Sequence, residues 1–150
     1  MKKVTTIVIL VLVGCFVGIN FLFQPSQLNY INSSTIGGLA TMRKMAQETI
    51  AYQDAIVNSR PTLVEFYADW CTTCQSMSPT LKELKQTYQN DVNFVMVNID
   101  ESENQQLVEQ YQVSGVPQWN ILDTEGHNVR QLIGKLPKSI LESNLVEVNS

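Results

Sequence analysis

Two cysteines three positions apart, in the run Trp70-Cys71-Thr72-Thr73-Cys74, are the residues of this 150-residue chain best placed to do chemistry. They stand where a short apolar run, Thr62 to Ala68, gives way to a stretch of helical periodicity. Cys74, Met77, Leu81, Leu84 and Tyr88 recur at spacings of three and four, which puts Cys74 on the buried stripe of a helix. Cys71 then falls at the amino end of that helix. There the unsatisfied N–H groups and the positive end of the helix dipole stabilise a thiolate. One sulfur faces a partner and the other waits behind it. That division suits dithiol exchange: the Cys71 thiolate attacks a partner disulfide, and Cys74 attacks the mixed disulfide and releases the partner reduced. Run backwards, the same steps oxidise a partner.

Other uses of a CxxC fit less well. A zinc site needs more soft ligands, and the remaining candidates are Cys15 and His127. Haem attachment needs a histidine at the next position, where Gln75 stands. Three cysteines, two of them this close, exclude a disulfide-stapled scaffold. The reading therefore includes no metal and no cofactor.

Glu65 interrupts Leu63-Val64-Glu65-Phe66-Tyr67, a run otherwise fit for burial. A desolvated carboxyl there has a raised pKa and can exchange a proton with the buried thiol, unless it snorkels to solvent. Gly115-Val116-Pro117 precedes another apolar strand and on its own reads as a loop-to-strand turn, since most X–Pro bonds are trans. His127 falls in a turn and reads as solvated, and Tyr67, Tyr111 and Trp119 read as core or rim aromatics.

The elements that must position these groups follow from periodicity and punctuation. Residues 1–3 carry Lys2 and Lys3, and Val4 to Phe23 carries no charge, long enough as a helix to cross a bilayer. No Lys or Arg follows until Arg43, so 1–3 is expected in the cytoplasm or stroma and the rest in a periplasm or lumen. Leu12-Val13-Gly14-Cys15 has the look of a lipoprotein processing box, but the apolar run continues past Cys15, and an uncleaved anchor at 4–23 is expected. Residues 24–38, rich in Asn, Ser, Gly and Gln, read as a linker, and 39–150 as one folded domain. Within it the expected elements are a helix over Leu39 to Asn58, possible to break, strands at Thr62 to Ala68 and Val92 to Ile99, and helices at Thr72 to Tyr88 and Asn104 to Tyr111. Ser102 and Gln105 suggest a capping box. Strands Gln118 to Leu122 and Val129 to Ile133 flank a turn at Asp123-Thr124-Glu125-Gly126, and Pro137 opens a last helix to about Leu145. The class is α/β, a mixed sheet with helices on both faces. A net charge of −4 without basic clusters argues against nucleic acid.

These residues resemble thioredoxin over about Leu63 to Leu145. The resemblance rests on Val64-Glu65-Phe66-Tyr67-Ala68-Asp69-Trp70-Cys71-Thr72-Thr73-Cys74, Pro79, Val97-Asn98-Ile99-Asp100, Val116-Pro117 and Gly134. It implies the thioredoxin fold, a redox-active Cys71–Cys74 disulfide with Cys71 as nucleophile and Cys74 as resolving thiol, and Pro117 as a cis-proline beside the pair. It further implies that Glu65 replaces the family's buried aspartate, that Trp70 packs on the active-site loop, that Val116, Pro117 and Trp70 touch substrate, and that Pro79 kinks the active-site helix. Thr72-Thr73 stands in place of the family's usual Gly-Pro, and Met96 where a lysine usually neighbours the buried acid. The anchor, Glu65 and the Arg60–Trp70 entry are more similar to the membrane-anchored, TxlA-type thioredoxin-like proteins of cyanobacteria and plastids. That narrower likeness implies a domain in the thylakoid lumen that serves cytochrome assembly, with protein thiols and disulfides as substrates and a membrane thiol transporter as electron donor. A disulfide donor of the same fold and a non-catalytic binding or chaperone module are the competing readings.

Overall fold

The structure, a computed structural model, describes residues 28–149. In chain order the elements are helix α1 (Leu28–Glu48), α2 (Tyr52–Ala55), strand β1 (Thr62–Tyr67), α3 (Thr72–Tyr88), β2 (Asn93–Asn98), a 3-10 turn (Ser102–Asn104), α4 (Gln105–Gln110), β3 (Gln118–Leu122), β4 (Asn128–Ile133) and α5 (Lys138–Val148). Residues 1–32 and 33–150 separate into two units. Of the first, only the opening of α1 is among the described residues. The expected anchor at 4–23, with Cys15, lies outside the described residues. Among those described, no helix is long and apolar enough to cross a membrane.

All six residues of β1 are buried. A run without polar alternation needs cover on both faces, and a central position supplies it. The sheet order is β2-β1-β3-β4. β2 lies parallel to β1, which α3 makes possible by crossing over between them. β3 and β4 then add as an antiparallel hairpin. The strand period of two splits the core. Leu63, Trp119 and Ile121 pack on one face with Met77, Leu81 and Leu84 of α3 and with Leu141 and Leu145 of α5. Val64, Phe66, Val95, Val97 and Leu122 pack on the other with Ala55 and Tyr111. The expected fold class holds for the domain: a mixed sheet between helices.

Several boundaries differ from expectation, each for a local reason. The first helix breaks as allowed, between Glu48 and Tyr52, but it begins at Leu28, so 28–38 is helical rather than a linker. Gly38, which reads as flexible by composition, is there for close approach. A Cβ on it would lie 2.6 Å from the Gln75 carbonyl oxygen of α3. The Ser102–Gln105 capping box does not form, because the Gln105 amide donates to the Ile99 carbonyl at 2.7 Å and the chain enters α4 through the 3-10 turn. Pro137 stands one residue before α5 instead of opening it, and its carbonyl accepts from Ile140 N–H at 3.0 Å. The β3–β4 turn is as expected: Asp123 Oδ1 accepts from the N–H groups of Glu125 (3.0 Å) and His127 (2.8 Å), and Gly126 takes a φ of +83°.

Candidate active site

Cys71 is the residue on which α3 begins. Its backbone is extended, and its Sγ accepts a hydrogen bond from the Cys74 N–H at 3.0 Å, so the sulfur itself caps the helix. Its carbonyl already accepts from Gln75 N–H at 3.0 Å, and its own N–H donates to the Ala68 carbonyl at 3.1 Å. These bonds leave the Cys71 sulfur aimed at the free N–H groups of the first turn, where negative charge is favoured. Cys74, one turn on, is fully buried, while Cys71 keeps 5 % of its surface exposed. The two are joined as a disulfide with Cα atoms 5.3 Å apart. Around them pack Met42 of α1, Tyr67 and Ala68, with Met96, Ile99 and Val116 at the margin.

Downstream, Pro79 lies inside α3 and cannot donate to the Gln75 carbonyl four residues back. The Ser78 hydroxyl lies 2.9 Å from that carbonyl and 3.0 Å from the carbonyl of Gly38. The break in α3 and the glycine of α1 therefore meet at one place, immediately below the cysteines.

Glu65 sits at the centre of β1, 1 % exposed, with Met96 of β2 and Trp119 of β3 as its register partners. Alternation along β1 puts it on the face of Leu63 and Tyr67, the face on which α3 and Cys74 pack. It does not snorkel. Its Oε1 has no hydrogen-bond partner among the described residues, and burial pushes its pKa from 4.5 up to about 8.

Val116–Pro117 is a cis peptide bond. Pro117 is buried, its carbonyl accepts from Gly134 N–H at 2.8 Å, and Val116 packs against the cysteine cluster. Trp70 is 64 % exposed beside Cys71, and its Nε1 donates to Asp100 Oδ2 at 2.9 Å. A carboxylate thus holds the indole at its edge. His127 lies exposed on the β3–β4 turn, 3.3 Å from Asp123, and is no part of the cysteine cluster. Asp123, Glu125 and His127 could reach one cation together, but Asp123 is already engaged by the turn.

Three neighbours of the site escaped the sequence reading. Met42 is wholly buried against the cysteines, and the spacing of Leu39, Met42 and Met45 marks a buried stripe without saying what it covers. Arg43 Nε and Nη2 donate to Asp69 Oδ2 at 2.9 and 2.6 Å. The Gln75 amide donates to the Asp69 carbonyl at 2.7 Å. Both contacts tie the loop before Cys71 to helices on either side.

Comparison with known proteins gives one answer. The sequence profile of the thioredoxin family matches residues 42–147. The chain is 45 % identical over 105 residues to "Thiol:disulfide interchange protein TxlA homolog" of Synechocystis sp., covering 70 % of this chain and 58 % of that protein. It is 36 % identical over 113 residues to "Thioredoxin-like protein HCF164, chloroplastic" of Oryza sativa subsp. japonica, covering 75 % and 43 %. The chain thus spans about half the length of these curated relatives. Among solved structures, mitochondrial thioredoxin 3 of Saccharomyces cerevisiae in its oxidised form superposes with a TM-score of 0.56 at 28 % identity, over 64 % of this chain and 86 % of that one.

The state of Glu65 predicts how stability varies with pH. Its folded pKa of about 8 lies above the unfolded value of 4.5, so between them the folded protein holds a proton that the unfolded chain has lost. Stability is therefore greatest below pH 4.5 as far as this group is concerned, and its penalty grows until about pH 8. The difference is on the order of 5 kcal/mol. Glu65→Gln should match the parent's urea midpoint at pH 4.5 and exceed it clearly at pH 9. Parallel midpoints at the two pH values would show that the carboxyl is not desolvated.

Proposed function

The chain belongs to the thioredoxin family, and we propose that it works as a thiol–disulfide oxidoreductase on protein substrates, with Cys71 attacking and Cys74 resolving. One observation carries this reading: a sulfur that caps α3 is bonded to a second sulfur buried one turn further along the same helix. In the reduced protein the Cys71 thiolate attacks one sulfur of a substrate disulfide. A Cys71–substrate disulfide forms and the other substrate sulfur leaves as a thiolate. Cys74, once deprotonated, attacks Cys71 Sγ, the remaining substrate thiolate leaves, and two electrons have passed to the substrate as the Cys71–Cys74 bond forms.

Glu65 is the group we assign to take the Cys74 proton, directly or through a water. Its pKa of about 8 leaves a minor ionised fraction at neutral pH, and that fraction accepts the proton, so resolution should quicken as pH rises toward 8. Trp70, Val116 and Pro117 are the substrate-facing residues of this reading: Trp70 is exposed beside Cys71, and Val116 packs on the cysteine cluster. The reading extends to a tether at 4–23, a domain on the periplasmic or lumenal side of a thylakoid-type membrane, and reduction of disulfides in cytochrome assembly with electrons from a membrane thiol transporter. Lys2, Lys3 and the uncharged stretch after them support the tether. The likeness to a thiol:disulfide interchange protein and to a chloroplastic thioredoxin-like protein supports the setting.

Reduction of insulin tests the activity. Cys71→Ser should fall to the uncatalysed background. Glu65→Gln should retain the first attack but slow resolution, so that mixed disulfides accumulate. Unchanged turnover in Cys71→Ser would leave the binding or chaperone reading. For the tether, protease added to the cytoplasmic face of sealed membranes should spare the domain, and digestion from that face would reverse the orientation.

A further inference from the structure

The residue before Trp70-Cys71, Asp69, carries a carboxylate, which is the wrong charge for the place. Asp69 lies two residues from a sulfur that must carry negative charge to attack. Its carboxylate is not left bare. Arg43, from α1 and 26 positions earlier, sets two guanidinium nitrogens on the same oxygen, Oδ2, at 2.9 and 2.6 Å. The α1 backbone that presents Arg43 is pinned at two points just ahead of it. Gly38 seats α1 against the Gln75 carbonyl, and Met42 is buried among Tyr67, Ala68, Cys71 and Cys74. The Asp69 backbone is pinned as well, by the Gln75 amide at 2.7 Å. Both partners of the pair are thus delivered by packed elements, although their side chains stay partly exposed at 59 % and 38 %.

We propose that Arg43 is a positioning and charge-balancing residue for Cys71: by neutralising Asp69 it keeps the loop's own carboxylate from suppressing the attacking thiolate. The inference rests on the reading of Cys71 as the attacking thiol. The other ionisable groups around this corner are Tyr67 and Glu65 on β1 and, after β2, Asp100 at the Trp70 indole and Glu101. All of them but the guanidinium are acids. Tyr67, in the cysteine cluster, registers the local field: burial, Glu101, Asp69 and Glu65 raise its pKa, to about 12, and Arg43 alone among these groups lowers it. Among the described residues, Arg43 is the one cation opposing three carboxyl groups, Glu101, Asp69 and Glu65, at Tyr67.

The charge account predicts opposite signs for the two partners. The full-length chain is reduced, alkylated with the neutral reagent iodoacetamide across a pH series, and read by the mass of the peptide that carries Cys71. Arg43→Gln should move the Cys71 midpoint up and slow labelling near neutral pH about threefold, the effect of half a pH unit, modest because the pair is partly solvated. Asp69→Asn should move the midpoint down. The double variant should return near the parent, Arg43→Lys should stay near it, and about 0.5 M salt should shrink every difference. A purely structural tie predicts otherwise: both single changes would shift the midpoint the same way, and Arg43→Lys would behave like Arg43→Gln. Either of those results, or an unmoved midpoint in Arg43→Gln, overturns the inference. A parent whose Cys71 midpoint sits at or above that of a free thiol overturns instead the assignment of Cys71 on which it rests.

Discussion

The start of α3 must satisfy two opposed demands within one turn, and most of the domain is arranged around that. Cys71 has to stand where helix N–H groups are unsatisfied and a partner can reach it, while Cys74, three residues on, has to be sealed from water. A helix end can do both only if its entry is fixed in direction. The fully buried β1 fixes it by delivering the chain from the middle of the sheet, and the Ala68 carbonyl holds the Cys71 N–H as the strand ends. From the other side α1 closes over the pair with Met42 and sits tightly at Gly38, against the Gln75 carbonyl, which Pro79 cannot bond and the Ser78 hydroxyl reaches. The proline and the glycine thus have one joint effect, a close crossing of α1 and α3 beneath the disulfide.

The same sheet carries a charge that folding alone would reject. Glu65 occupies an inner strand, between Met96 and Trp119, where an apolar side chain would carry no desolvation cost. Desolvation keeps its proton on through the neutral range, so the protein carries an acid that is neutral at rest and able to ionise near pH 8. A group of that kind costs stability in a scaffold, and the proposed proton exchange with Cys74 would give it a use. Cys71 packs in the same apolar cluster as Cys74, while the loop before it carries charged groups, Asp69 on Arg43 and Asp100 on the Trp70 indole. The two sulfurs therefore differ in their place on the helix, one capping its start and one a turn inside, although they are covalently joined.

Much of this was legible in the residues because it follows from periodicity. The buried stripe Cys74, Met77, Leu81, Leu84, the apolar β1 and the Asp123–Gly126 hairpin all appear where spacing put them. What spacing cannot carry is contact between distant segments. Gly38 falls in a stretch with the composition of a linker, and only the presence of α3 across from it shows why glycine stands there. Arg43 and Asp69 belong to separate elements, and nothing in either segment announces the other. The cis bond before Pro117 came from the family resemblance, since Gly-Val-Pro is an ordinary turn sequence on its own terms. Ser102 and Gln105 had the right types for a capping box, but the Ile99 carbonyl offered the glutamine amide a nearer partner.

The division of labour between the two sulfurs is the claim on which the rest turns, and trapping tests it most directly. With Cys74→Ser, attack by Cys71 can begin but not finish, so incubation with a disulfide-bonded protein should yield a stable mixed disulfide through Cys71, released by a small thiol reductant. Cys71→Ser should trap almost nothing, because Cys74 is fully buried. Equal trapping by both variants, or trapping by Cys71→Ser alone, would contradict the account.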